Sequence, residues 1–95
     1  MFIITLKYSK PVEEVDKVLK SHLEYLEKYC SSQKFICCGR LNPRTGGVIL
    51  CNANDKEEVE ALINEDPFYI NEIGEYEIIE FLPVKYADGF EDYIK

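Results

Sequence analysis

The hydrophobic pattern of the chain switches between strand-like and helix-like periods, and the order of the switches leaves few possible folds. Runs of β-branched and aromatic residues predict strands, and apolar residues at helical spacing predict helices. A segment rich in Pro and Gly over 42–47 predicts a turn that pairs two strands as a hairpin. The predicted strands cover residues 2–8, 34–41, 48–53 and 75–84, and the predicted helices cover residues 12–30 and 56–65.

The elements therefore follow the order strand–helix–strand–strand–helix–strand, which is the ferredoxin-like arrangement. We expect an α+β fold with one four-stranded antiparallel sheet and two helices on one of its faces. A length of 95 residues suits a single domain, predicted over 1–95. Asp66–Ile70 begins a further short turn. The tail from Tyr86 to Lys95 retains apolar residues, so we expect it to pack against another part of the protein.

The apolar side chains of the predicted sheet are not confined to one face. Alternation along the first strand places Phe2 and Ile4 on one side and Ile3 on the other. The fourth strand divides into Tyr76, Ile78 and Leu82 against Ile79 and Phe81, and the second into Phe35 and Cys37 against Ile36 and Cys38. Because helices cover only one face, we predict that a second copy covers the other. The expected homodimer would keep a space lined by side chains between helices and sheet.

The charge balance argues against two classes of partner. The chain has 18 Asp and Glu against 11 Lys and Arg, a formal net charge of −7. Nucleic acids and anionic membrane surfaces are bound mainly through Lys and Arg, so neither is expected as a partner.

No apolar run approaches the ~20 residues of a membrane-spanning helix. Met1–Thr5 lacks the basic start of a signal peptide and reads as the first strand, which favours a cytoplasmic protein.

The cysteines fit no metal-binding template. Cys30, Cys37, Cys38 and Cys51 form no C-x-x-C pair, and the single histidine lies well before them. We therefore expect no metal and no cofactor. We expect four reduced thiols in small core or near-core positions, a role that free cysteine often takes.

His22 is the only histidine, and its position on the first predicted helix is informative. It lies three residues after Leu19 and four before Leu26, on the apolar stripe that should face the sheet. A polar ring in that position needs a hydrogen-bonding partner. Two interpretations remain open: a structural histidine bonded to a carbonyl or tyrosine hydroxyl, or a general acid or base.

Asp66 and two arginines are the other candidates for a site. Asp66 precedes Pro67 and suits the cap of a short turn, and it could also orient His22; the two roles are compatible. Arg40 and Arg44 flank the hairpin turn, where guanidinium groups and open backbone amides could hold an anionic ligand. The alternative is that both arginines are simply solvated.

Several short segments together resemble the YCII-related domain family over the whole chain. They are Ser21–Leu26 on the first helix, Cys37–Arg40 on the second strand, Pro43–Gly47 at the hairpin, Glu65–Phe68 after the second helix and Glu77–Phe81 on the fourth strand. The family is similar in fold to the dimeric α+β barrels, in which two ferredoxin-like units close their sheets face to face. The resemblance implies that His22 and Asp66 form a pair in a cleft. Relatives often have Ser and Pro where this chain has Cys38 and Arg40.

The wider superfamily includes isomerases, oxygenases and lyases that act on small aromatic molecules, which is an analogy at the level of fold. The leading hypothesis is a metal-independent enzyme with a small-molecule pocket in each subunit, which transfers protons on a small organic substrate as an isomerase, a lyase or a hydrolase. His22 would be the acid/base and Asp66 would orient it or share its proton. The residues expected to bind the ligand are Cys38, Arg40, Arg44 and Phe68. The alternative is a non-catalytic ligand-binding or assembly module in which His22 is structural.

Overall fold

A computed structural model describes residues 1–94 and confirms the α+β ferredoxin-like fold. The strands are β1 (Phe2–Tyr8), β2 (Phe35–Arg40), β3 (Gly46–Cys51) and β4 (Gly74–Glu80), and the helices are α1 (Val12–Ser31), α2 (Lys56–Asn64) and α3 (Pro67–Ile70). The four strands form one sheet in the order β2-β3-β1-β4, and every neighbouring pair is antiparallel. Lys95, the end of the predicted tail and domain, lies outside the described residues.

The core lies between one face of the sheet and the helices, in two clusters of buried side chains. The larger cluster joins Phe2 and Ile4 of β1 to Tyr25 of α1 and Val59 of α2. The smaller cluster consists of Leu6, Val15, Phe68 and Ile73. The stripe predicted along α1 thus faces the sheet, and its burial supplies most of the stabilisation that a helix of this kind gains in a protein.

The second strand departs from the predicted alternation because it contains an irregularity. The register with β3 shifts between Phe35 and Cys37, so that Phe35 pairs with Cys51 and Cys37 with Leu50. A bulge of this kind changes the face on which the following side chains lie. Cys37 is consequently exposed, whereas Cys38 packs against the core. The expectation that Phe35 and Cys37 share a face was wrong, as was a near-core position for Cys37.

Two strand ends also differ from the prediction. β3 begins at Gly46, inside the predicted turn, because Gly46 pairs with Lys7 at very close range. A Cβ atom at Gly46 would lie 1.8 Å from the carbonyl oxygen of Leu6, so only glycine fits there. β4 ends at Glu80 rather than residue 84, because its partner β1 begins opposite it at Phe2.

The C-terminal segment after β4 is largely exposed. Leu82 and Val84 are 78% and 82% exposed. The short 3₁₀ turn Phe90–Tyr93 contacts Tyr86, with the Tyr86 and Phe90 rings 6.1 Å apart. Within residues 1–94, the apolar tail therefore packs locally on itself.

None of the helices within residues 1–94 is long and apolar enough to cross a membrane.

The sheet face opposite the helices carries apolar side chains. Ile3 pairs with Leu50 on one side and with Ile79 on the other, and Ile79 is 47% exposed. Phe81 follows at the edge and is also exposed. A homodimer that buries this face stays a prediction, and these residues identify where it is tested.

We expect the protein to be dimeric at micromolar concentration and Ile79→Lys to raise the dissociation constant by at least about tenfold, because the charge would be buried between two sheets. Ile70→Lys is the matched control: Ile70 is 64% exposed and lies on α3, away from this face. Light scattering across a dilution series measures both variants. A wild-type monomer, or equal effects of the two substitutions, would contradict the prediction.

Candidate functional site

A partly open cavity of about 570 Å³ lies between α1 and the sheet, near the β2–β3 hairpin. Its wall is mainly aliphatic, with contributions from β1, α1 and β3 such as Leu6, Leu19 and Ile49. All six residues predicted for a site line it: His22, Cys38, Arg40, Arg44, Asp66 and Phe68. The fold therefore brings together side chains from α1, β2, the turn between β2 and β3, and the start of α3.

His22 and Asp66 are directly hydrogen-bonded. Nδ1 of His22 lies 2.7 Å from Oδ1 of Asp66, although the two residues are 44 positions apart in sequence. His22 is presented by the middle of α1, and Asp66 caps the N-terminus of α3, where Pro67 occupies the first helical turn. The capping role predicted for Asp66 is observed, and the same carboxylate contacts the histidine.

The Asp66 carboxylate accepts hydrogen bonds from three groups. The backbone N–H of Phe68 donates to Oδ1 at 2.9 Å, and the Tyr76 hydroxyl donates to Oδ2 at 2.6 Å. Asp66 is only 1% exposed. Because an ionised carboxylate can only accept, the contact with His22 requires a proton on Nδ1. That assigns Nε2 as the nitrogen with the free lone pair in the neutral ring.

Phe68 fixes the plane of the imidazole. Its ring stacks on that of His22 with centroids 3.7 Å apart and an angle of 4° between planes. Phe68 is 2% exposed and belongs to the smaller core cluster, so the stack is anchored in the core. The histidine is thus held along one edge by Asp66 and against one face by Phe68.

Tyr76 is a site residue that sequence reasoning did not distinguish from the other tyrosines. It lines the cavity and packs against both core clusters. Burial and the adjacent charge of Asp66 raise the pKa of Tyr76 well above its ordinary value, so the hydroxyl keeps its proton and donates. One signal was available: Tyr76 shares a strand face with Ile78, and a buried hydroxyl there needs an acceptor.

Cys38 contributes a neutral thiol to the cavity. Its Sγ lies 3.4 Å from that of Cys30 on α1, and none of the four cysteines is in a disulfide. Burial is the largest cause, and the hydrogen bond with Cys30 is the second, of a rise in the pKa of the Cys38 thiol to about 12. The side chain is therefore protonated at neutral pH and does not act there as a thiolate. Among residues 1–94, no three His, Cys, Asp or Glu side chains are grouped so as to hold a metal ion.

The two arginines of the cavity differ in their contacts. Nη2 of Arg44 donates to Oδ1 of Asp16 on α1 at 2.6 Å, which joins the hairpin to the helix. The hydrogen bond to Asp16 raises the pKa of Arg44. Arg40 lies at the end of β2 and is exposed, and its guanidinium makes no hydrogen bond or ion pair with any residue of the described part of the chain.

Comparison with known proteins identifies a family and a fold. The family model of the YCII-related domain matches residues 1–83 of the chain. No curated protein matches it. One similar solved structure is the 5-chloro-2-hydroxyhydroquinone dehydrochlorinase of Burkholderia phenoliruptrix AC1100 in complex with 2,5-dihydroxybenzoquinone. The TM-score is 0.72 at 18% sequence identity, and the match covers 86% of this chain and 94% of that chain. At this identity the similarity establishes the shared fold.

We expect Tyr76→Phe to lower the free energy of unfolding by about 1–3 kcal/mol, because it leaves one oxygen of buried Asp66 without its donor. Tyr29→Phe is the matched control, since the Tyr29 hydroxyl donates to Glu65 at the same distance, 2.6 Å, but at the surface. That change should cost less than about 0.5 kcal/mol. Urea denaturation measures both, and equal losses would contradict the assigned importance of the buried bond.

We also expect neutral His22 to carry its proton on Nδ1, because that nitrogen donates to Asp66. Long-range ¹⁵N–¹H NMR spectra distinguish the two tautomers, and the assignment is simple because the chain has one histidine. The Asp66→Ala variant removes the acceptor and should lose this preference. A wild-type ring protonated on Nε2 at high pH would contradict the hydrogen-bond assignment.

Proposed function

The chain belongs to the YCII-related domain family, and we propose that it is an enzyme that transfers protons on a small organic substrate, with His22 as acid/base. The observation that carries the proposal is the bond between His22 and buried Asp66 at the wall of a cavity. A carboxylate behind an imidazole orients the ring and stabilises the imidazolium that forms when it takes a proton.

The second ring nitrogen is the group that would meet the substrate. Nε2 of His22 has no hydrogen-bonding partner within residues 1–94. Every buried side-chain nitrogen or oxygen in these residues does have a partner, so Nε2 is not a buried atom. Nε2 is therefore accessible, although the His22 side chain as a whole is only 13% exposed. With Nδ1 occupied by Asp66, this nitrogen can act as a general base in the neutral ring and as a general acid afterwards.

The proposed reaction needs only groups of this chain. Nε2 of His22 removes a proton from a carbon or oxygen of the substrate, and Asp66 stabilises the resulting imidazolium. The same proton then returns to another substrate atom, which gives an isomer, or leaves with an expelled anion, which gives an elimination product. Acid/base catalysis by one positioned side chain contributes typically about 10²–10⁴-fold.

The cavity suits a small ring compound. Its volume of about 570 Å³ falls within the range of small-molecule sites, roughly 300–1,000 Å³, and its wall is mainly aliphatic. Phe68, Cys38 and Arg40 are proposed ligand contacts, and Arg44 contributes to the same wall while bonded to Asp16. The structurally similar dehydrochlorinase acts, by its name, on a chlorinated hydroxyhydroquinone, and loss of hydrogen chloride is an elimination. We propose elimination or isomerisation of such rings as the first reactions to test.

The test measures turnover of hydroxylated and halogenated ring compounds, beginning with 5-chloro-2-hydroxyhydroquinone. Turnover of the chlorinated compounds is measured as the release of chloride. We expect His22→Asn to lower kcat by at least about 100-fold. Asparagine still places a donor near Asp66, so the variant should fold and bind 2,5-dihydroxybenzoquinone within a few-fold of wild type. Lys85→Gln, on the exposed tail, is the control that should leave kcat unchanged.

Two outcomes would contradict this proposal. One is a His22→Asn variant that keeps its turnover and loses only stability, which the structural interpretation of His22 predicts. The other is a wild-type protein that binds the ring compounds and converts none of them, which the binding-module interpretation predicts.

A further inference from the structure

We propose that the cavity selects an anionic ring compound and that Arg40 binds the acidic group of this ligand. The inference rests on the proposed function and deepens it by naming the charge class of the substrate. It assigns different roles to two arginines that are only four residues apart in sequence.

Arg44 is already engaged by the protein. Its guanidinium holds Asp16 at 2.6 Å, and its side chain is 26% exposed against 53% for Asp16. A ligand acid at Arg44 would have to share a guanidinium whose charge is already matched by Asp16. Arg44 therefore joins the hairpin to α1 and helps to shape the wall.

Arg40 is the cation of the cavity wall that has no anion of its own. Its guanidinium makes no ion pair or hydrogen bond with residues 1–94, and it lies in the wall near Cys38 and Gly39 on β2. A guanidinium presents a planar set of donors that matches both oxygens of a carboxylate or one phenolate oxygen. This side chain can thus bind an anion without first breaking a contact.

The other charged side chains of the wall already have partners. Asp66 is the single acidic residue in the wall, it is 1% exposed, and its oxygens already hold three donors. Arg44 is paired with Asp16. The guanidinium of Arg40 is therefore the charge of the wall that is left for a ligand, and an unpaired cation favours anions over neutral ligands of the same shape.

The experiment compares two probes of almost identical shape, 4-hydroxybenzoate and 4-hydroxybenzamide, at neutral pH. Binding is followed by NMR shifts of the His22 ring protons, which report occupancy of the cavity itself. We expect the wild-type protein to bind the benzoate about tenfold more tightly than the amide. This factor corresponds to the lower end of the range that is typical for a hydrogen bond to a charged group. Arg40→Gln should reduce this ratio to about one and leave the affinity for the amide unchanged.

Two control variants separate a local contact from general charge. Lys85→Gln removes the same single positive charge from the exposed tail and should keep the tenfold ratio. Arg40→Lys keeps the charge, loses the planar pair of donors and should retain part of the ratio. Arg40 is exposed and its side chain has no hydrogen bond or ion pair in the described chain, so its replacement should not impair folding.

The outcomes distinguish this inference from the proposed function. Equal wild-type affinity for benzoate and amide, with both shifting the His22 signals, would overturn the anionic class and leave the proposed function intact. A preference that survives Arg40→Gln would overturn the assignment to Arg40. Failure of both probes to shift His22 signals would overturn the inference together with the proposed ring-binding cavity. Unaltered turnover of His22→Asn, alongside an intact charge preference, would overturn the proposed function alone.

Discussion

The buried carboxylate of Asp66 is the group on which the arrangement of the site depends. An isolated charge at 1% exposure would be very costly, so it persists only because three donors surround it. These donors come from three elements: His22 on α1, the Phe68 backbone N–H on α3 and Tyr76 on β4. The hydrogen bonds that satisfy the charge therefore also set the positions of the helix, the short turn and the strand relative to one another. A residue that serves as a cap, a structural anion and the partner of a histidine has little freedom to move, which suits it to orient an acid/base group.

The cavity follows from how the core is divided around this carboxylate. The larger cluster is built on α1, α2 and the start of β1, and the smaller one on α3 and the end of β1. Tyr76 packs against both, so its hydroxyl reaches Asp66 at the point where the clusters meet. Aliphatic side chains such as Leu19 and Leu26 line the remaining space without filling it, so the imidazole has apolar surroundings on its open side. The site thus uses a gap that a continuous hydrophobic core would have closed.

Much of the fold was predictable from the sequence because it depends on local periodicity. The stripe along α1 and the strand propensity of residues 2–8 gave these elements to within a residue or two. The bulge between Phe35 and Cys37 and the early start of β3 at Gly46 were not predictable, since both arise from contacts with neighbouring strands. The pairing of His22 with Asp66 spans 44 residues and follows from no periodicity; the family resemblance supplied it. Tyr76 carried only the signal of a polar group on an apolar face, which several other tyrosines share.

The different contacts of Arg40 and Arg44 could not be predicted from their positions in the sequence. Both flank one turn, both line one cavity, and each has the same ionised group. What separates them is Asp16, which lies six residues, or about 1.7 helical turns, before His22 and becomes a neighbour of Arg44 only after α1 packs on the hairpin. An ion pair formed in this way removes one cation from the set available to a ligand and leaves the other. Helix packing therefore decides which cation is available in the cavity. The same helix presents His22, so one structural element sets both the orientation of the proposed acid/base group and the charge available to its proposed substrate.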